Sequence, residues 1–191
     1  MSKLNFFIHE SSYVDRNVNV GEGTKIWHFS HIQSGASIGK NCIIGQNVNI
    51  SNNVKIGDFV KIQNNVSVYE GVEIEDYVFC GPSMVFTNVN RPRSEYPQSG
   101  SDFYSKTLIK KSASLGANCT IVCGNTIGAY SFIGAGAVIT KNVPDHALVI
   151  GNPGTLVGWV DKKGCRIDFN QDGVSKCGEY FLKNKSIHYK K

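Results

Sequence analysis

The sequence predicts an all-β fold, a solenoid of short parallel strands, on three observations. Every sixth residue from Ile8 to Phe86 is apolar, and twelve of those fourteen anchors are Ile or Val. A second small or apolar set follows four residues behind the anchors, at Ala36, Cys42, Val48, Val54, Val60, Val66, Val72 and Val78. Glycine often stands directly after an anchor, as at Gly21, Gly39, Gly45, Gly57 and Gly81.

A helix would repeat its apolar positions at three and four residues and a simple strand at two, so neither template fits. A short fixed period is the mark of a repeat architecture. Each six-residue unit supplies one short strand and one turn, and three units close one triangular coil. The anchors point into the prism, and coils stack at the strand spacing of about 4.8 Å. The beat resumes at Ile109, Leu115, Ile121, Ile127, Ile133 and Ile139. The step from Phe86 to Ile109 is not a whole number of sixes, so a loop is inserted at 87–108. The solenoid domain is read as 1–156. The tail, 157–191, reads as two or three short antiparallel strands with a turn at "NQDG", a cap over the open end of the coil.

Composition excludes several classes of function. Apolar residues make up 41%, enough for a core, and Gly 20 against Pro 5 indicates turns rather than a linker. No apolar run is long enough to cross a bilayer, and "MSKLNFFIHESS" holds too short an apolar patch for a leader, so a cytoplasmic protein without a membrane span is expected. Of the net charge of +5, residues 157–191 hold eight Lys/Arg and four Asp/Glu. No basic stripe interleaved with aromatics remains to bind nucleic acid. The six cysteines form no CxxC pair, and Cys42, Cys80 and Cys119 fall on inward positions where a thiol acts as a small hydrophobe.

The coil of three units serves as a ruler. It stacks Asn52–Glu70–Asn88 beside Ser51–Tyr69–Thr87, where the long loop leaves the prism. It also stacks His28–Gln46–Asn64 and His31–Asn49–Ser67, and sets Asn47 over Asn65 as an asparagine ladder. His28 and His31 lie more than three coils from Asn88, roughly 15 Å along the axis. Within one chain neither acts beside Asn88; only a neighbouring subunit could bring one there. A zinc site would need three converging imidazoles, and the spacing supplies none. Ice binding would need regular threonine rows, which are absent.

The runs "GEGTKIWHFSHIQSGASIGKNCIIGQNVNI", "VKIQNNVSVYEGVEIEDYVFCGPSMVFTNVNRPRS" and "ASLGANCTIVCGNTIGAYSFIGAGAVITKNVPDHALVIGNPGTLVGWV" resemble the hexapeptide-repeat acyltransferases over roughly residues 8–162. The branch they most resemble is the UDP-2-acetamido-3-amino-2,3-dideoxy-glucuronate N-acetyltransferases of O-antigen pathways. Acetyltransferases of dTDP-3-amino-3,6-dideoxyhexoses are the alternative, and a solenoid that binds without turnover is the non-enzyme alternative. The resemblance implies a left-handed β-helix, where general crossover rules would give a right-handed one. It also implies a homotrimer with active sites between prisms, walled by the 87–108 loop.

What the resemblance implies for the site is specific. Asn88 would orient the reacting amine. Gln63, Asn64, Tyr69 and Glu70 would contact the nucleotide sugar, and Arg91 and Arg93 would form a fork for a carboxylate or diphosphate. Acetyl-CoA would lie along the later coils, against Ala117 and the main-chain N–H groups of Ala135 and Gly136, with its phosphates near Lys141 and Asn142. Relatives often carry cysteine pairs in the tail; here Cys165 and Cys177 stand alone, and no metal is carried over.

Overall fold

The computed structural model describes residues 5–98, 100–184 and 186–189. Residues 1–4 of the stretch read as too short for a leader, and 190–191 of the tail, lie outside the described residues. The chain winds into a three-sided prism whose faces are sheets of nine, seven and six strands. The first face stacks Phe7–Ile8, Lys25–Ile26, Ile43–Ile44, Lys61–Ile62, Phe79–Cys80, Ser114–Leu115, Phe132–Ile133 and Ala147–Ile150, all parallel. The second runs from Tyr13–Val14 to Val138–Ile139, and the third from Asn19–Val20 to Thr126–Ile127. Each strand pairs with the one three units further on, as in Lys25↔Ile43 and Lys61↔Phe79, so the register is the coil predicted from the period.

The beat reads out physically as burial. The anchors Ile26, Ile32, Ile44, Ile50 and Ile62 and the second set Cys42, Val60 and Val66 are all fully buried. Some members of the second set are polar and solve their own burial. Thr24 Oγ1, Ser30 Oγ and Cys42 Sγ donate to the carbonyls of Gly39, Gly45 and Gly57 at 2.8, 2.8 and 3.1 Å. Buried polar groups left unpaired would cost stability, and each of these is paired.

Corners repeat as strictly as strands. Three residues after each anchor the backbone turns through positive φ, at Asn41, Asn47, Asn53, Phe59, Asn65 and Tyr77 among others. Asparagine is the side chain that best tolerates this region, which explains its abundance there. Glycine just after the anchor has a different cause: a Cβ on Gly39 would lie 2.5 Å from the backbone of Gly57 in the next coil. The N–H beside such a glycine is capped from the coil above, as where Lys40 donates to Asp58 Oδ1 at 2.7 Å and Asp58 to Asp76 Oδ1 at 2.8 Å.

Across the inserted loop the strand partners become Phe79↔Ser114 and Val85↔Thr120. Each side of the insertion keeps its own face, so the excursion lengthens one coil without shifting the register. At the far end Thr155–Trp159 turns back antiparallel on Ala147–Ile150, crossing the 156/157 boundary. Beyond it the "NQDG" turn closes with Gly173 N–H on Asn170 O at 3.0 Å, and Tyr180–Lys183 pairs with Ser186–Tyr189. Ile167, Phe169, Leu182 and Ile187 pack on the core end, covering apolar area that the last coil would expose.

Candidate active site

The loop leaves the prism through a closed neck at the corner between the second and third faces. Asn88 N–H₂ donates to Glu70 O at 3.3 Å, and Asn88 O accepts from Ser105 N–H at 2.9 Å. Asn90 Nδ2 donates to Ser105 Oγ at 2.6 Å, and Asn90 Oδ1 takes the Cys123 thiol at 3.2 Å. Thr87 Oγ1 accepts from Cys123 N–H at 3.0 Å. The residues that start and end the excursion are therefore tied to one another, while Arg91 through Gln98 stand in solvent.

The corner between the first and second faces has a different character. One row along it reads His9, Trp27, Gly45, Gln63, Gly81, Gly116, Gly134, one residue per coil. Its neighbour reads His28, Gln46, Asn64, Pro82, Ala117, Ala135. From Gly81 to Gly134 neither row carries a long side chain, so main chain lines the corner there, and Ile150 closes the first row one coil beyond Gly134. Gln46 N–H is capped by Asn64 Oδ1 at 2.9 Å. Higher up that service stops: the N–H groups of Ala117 and Ala135 donate to no acceptor among the described residues. Backbone donors exposed in a side-chain-free groove suit an extended amide-bearing ligand.

The site residues expected from the sequence thus divide between two corners. Gln63, Asn64, Ala117, Ala135 and Gly136 share the first–second corner. Tyr69, Glu70, Asn88, Arg91, Arg93, Lys141 and Asn142 share the second–third corner. The two corners are the two ends of the second face, one where its strands enter and one where they leave.

One expectation needs correction, at Gly136, and the structure adds detail at Asn142 and the two arginines. Gly136 N–H is not available to a ligand, because it is donated to Ala117 O at 2.8 Å. Asn142 Oδ1 is occupied by Thr126 N–H at 2.8 Å, a coil cap like that of Asp58. Arg91 and Arg93 are exposed, and Arg93 Nη1 donates to Pro92 O at 3.0 Å. Glu70 holds the register expected of it, with Asn53 Nδ2 at 3.3 Å from its carboxylate.

Of the histidines, His31 Nε2 pairs with Asp15 Oδ1 at 2.8 Å, and His28 stacks on His9 with ring centroids 3.5 Å apart. Cys119 is buried and its thiol is pushed up to about 12, so it holds no thiolate; burial also raises Cys80 and Cys42. Among the described residues no three His, Cys, Asp or Glu side chains gather at metal-binding distance. Sequence reasoning missed the bare row Gly81–Gly116–Gly134. Its signal was present, because these are the residues after successive anchors of one face, but they read there as turns.

Two descriptions of repeat families match the chain: Bacterial transferase hexapeptide (six repeats) over residues 8–52, and Hexapeptide repeat of succinyl-transferase over 35–70 and 111–141. The dTDP-3-amino-3,6-dideoxy-alpha-D-galactopyranose 3-N-acetyltransferase of Aneurinibacillus thermoaerophilus is 43% identical over 177 residues, covering 92% of this chain and 90% of that one. Among solved structures, a hexapeptide-repeat acetyltransferase of Vibrio cholerae O1 biovar eltor complexed with acetyl coenzyme A superposes with a TM-score of 0.58 at 26% identity, covering 66% of this chain and 72% of that one. PerB of Caulobacter crescentus, solved with CoA and GDP-perosamine, gives 0.50 at 23%, covering 79% of this chain and 56% of that one. The coil is the left-handed parallel β-helix of such acetyltransferases.

Proposed function

This chain belongs to the hexapeptide-repeat transferase family, and from that premise we propose that it moves the acetyl group of acetyl-CoA to the 3-amino group of a dTDP-linked 3-amino-3,6-dideoxyhexose. An acetyltransferase of nucleotide-linked amino sugars is the coarser statement, and it rests on a relative matched over nearly its whole length. The finer choice of acceptor departs from the UDP-uronic acid expected first. It follows instead the acceptor of the relative that is 43% identical over 92% of this chain.

The observation that carries the reading is the bare groove at Gly81, Gly116 and Gly134 with its free Ala117 and Ala135 N–H groups. A pantetheine arm suits this corner, since its amides can pair with main chain and no long side chain stands between Gly81 and Gly134. The loop neck with Asn88 lies on another corner, so the reading requires a second copy whose Asn88 corner faces this groove, as in a homotrimer. The acetyl carbonyl carbon is attacked by the neutral 3-amino nitrogen and passes through a tetrahedral oxyanion. The C–S bond then breaks, the CoA thiolate departs, and the proton lost by nitrogen ends on sulfur. Such chemistry rests on positioning two substrates more than on a strong base. The product would serve surface-polysaccharide assembly, with both substrates drawn from the cytoplasm.

The test follows CoA thiol release with a dTDP-3-amino-3,6-dideoxyhexose and UDP-2-acetamido-3-amino-2,3-dideoxy-glucuronate as parallel acceptors. Release with the dTDP sugar supports the proposal. Release only with the uronic acid would restore the first expectation, and no release with either would reduce the solenoid to a binding scaffold.

A further inference from the structure

Below the bare groove, the same corner holds a hollow of about 310 Å³ lined by Trp27, His28, Ile43, Gly45, Gln46, Gln63 and Asn64. We propose that this hollow is a nucleobase site, in which the pyrimidine ring of the acceptor stacks on Trp27 at the level of Gly45 and pairs its edge with side-chain amides. The proposal rests on the reading of the acceptor as a nucleotide sugar and adds where its base is held.

The shape comes from one missing side chain. Trp27, Gly45 and Gln63 stand one above another, a coil apart, so glycine opens a gap of about two coil spacings between indole and carboxamide. A ring stacked on the indole at about 4.5–5 Å lies level with Gly45, about 4.8 Å up. The gap is fixed in the fold: a Cβ at Gly45 would meet Asn64 N at 2.9 Å.

The platform is ordered before any ligand arrives. Trp27 is 39% exposed, yet Phe7 packs against it with centroids 5.5 Å apart, and the His28 ring lies parallel to it within 9°, with centroids 6.2 Å apart. His28 rests on His9, which is itself fixed: His9 Nδ1 accepts from Ser11 N–H at 3.2 Å and lies 2.9 Å from Ser11 Oγ, while Ser11 Oγ accepts from Phe29 N–H at 3.0 Å. Indole is a good stacking partner for a base and tolerates ring identity.

The chemistry of the walls selects among the parts of the ligand. Gln46, Gln63 and Asn64 offer carboxamides, each with donors and an acceptor, which match the carbonyl–imide–carbonyl edge of thymine or uracil. None of the lining side chains is a lysine, arginine or carboxylate, so the hollow suits the neutral base and not the diphosphate. Gln46 and Asn64 are already linked through Gln46 N–H on Asn64 Oδ1, which leaves Asn64 Nδ2 to donate toward a base carbonyl.

Indole fluorescence of the full chain is titrated with dTDP, thymidine and inorganic pyrophosphate, beside Trp27→Ala and Trp27→Phe, and KM is measured for acceptor and for acetyl-CoA. Saturable quenching by dTDP and thymidine but not pyrophosphate is expected, and Trp27→Ala should abolish it. The acceptor KM should rise about 5- to 100-fold in Trp27→Ala, largely recover in Trp27→Phe, and leave the acetyl-CoA KM unchanged. Quenching that persists in Trp27→Ala, or an unchanged acceptor KM, overturns the base site while leaving acetyl transfer intact. Quenching by dTDP with no transfer to any nucleotide sugar leaves the base site standing and overturns the transferase reading instead.

Discussion

The side-chain amide of Asn88 donates to the main-chain oxygen of Glu70, one coil beneath it, at 3.3 Å. One N–H of that amide is thereby held, and the carbonyl oxygen of the carboxamide is left to accept from a ligand. An amine approaching the neck would meet an acceptor of fixed direction, which is the orientation role assigned to this residue. We predict that Asn88→Ala lowers kcat/KM about 10- to 100-fold, as expected for a misplaced nucleophile. The lost bond should cost only about 1 kcal/mol of stability. Steady-state rates beside thermal melts check this; a large melting shift with an unchanged rate would make Asn88 a turn residue only.

The glycine row separates packing from strain. A Cβ on Gly116 would lie 2.5 Å from Ala135 N, so Gly116→Ala must push two coils apart. Overpacking of this kind costs about 1–3 kcal/mol, and the acetyl-CoA KM should rise with it because Ala135 moves. Gly136 has nothing within 4 Å of its would-be Cβ but sits at φ +69. Gly136→Ala should cost only the left-handed strain, about 1–2 kcal/mol, and leave KM unchanged. Paired melts and KM values decide between these outcomes.

The arginines give a sharp negative. With the dTDP sugar as acceptor, Arg91→Ala and Arg93→Ala should each alter kcat/KM less than about threefold, since neither side chain is held toward the neck. A loss above tenfold, measured by the same thiol-release assay, would mean that the loop rearranges to bring them onto the acceptor.

His146 ties the cap to the solenoid. Its Nδ1–H donates to Val160 O at 2.8 Å, so Nε2 carries the lone pair and accepts the Tyr189 hydroxyl. That neutral tautomer suits a side chain only 2% exposed, and burial holds its pKa below the ordinary 6.5. Above pH 6.5 folded and unfolded chains both keep it neutral, and the contact is fully effective. As pH falls below 6.5 the unfolded chain takes up the proton first, so stability drops, by at most about 1.4 kcal/mol per pH unit, until the folded pKa is reached. Denaturation between pH 5 and 7 should show this slope, and His146→Asn should flatten it.

Much of the fold was legible because the solenoid repeats a local rule. Ile26, Ile44 and Ile62 each meet the same surroundings, so period alone identifies what they do. The cap was legible as short antiparallel strands about the "NQDG" turn, but not in its packing, since Phe169 and Leu182 find their places on the coil end rather than by any period. The site was legible in part. Counting by whole coils put Asn88 over Glu70 correctly, because stacking is regular up to the loop. It could not show that Gly136 N–H is already engaged, which depends on the turn geometry at Ala117. The arginines could not be placed either, because residues 91 and 93 lie in a stretch with no repeat to constrain them. Trp27 carries no signal of its role in the sequence alone; its meaning depends on the glycine above it, a relation visible only once coils are stacked on that corner.

The neck has a consequence for how such chains diversify. Thr87, Asn88 and Asn90 are tied to Ser105 and Cys123, and Thr107 re-enters the third face opposite Val72 as though nothing had intervened. The stretch between is therefore an interchangeable cassette: its length and chemistry can be traded while both cut ends still meet the same partners. Inheritance can then rewrite that stretch without reopening the question of how the chain winds.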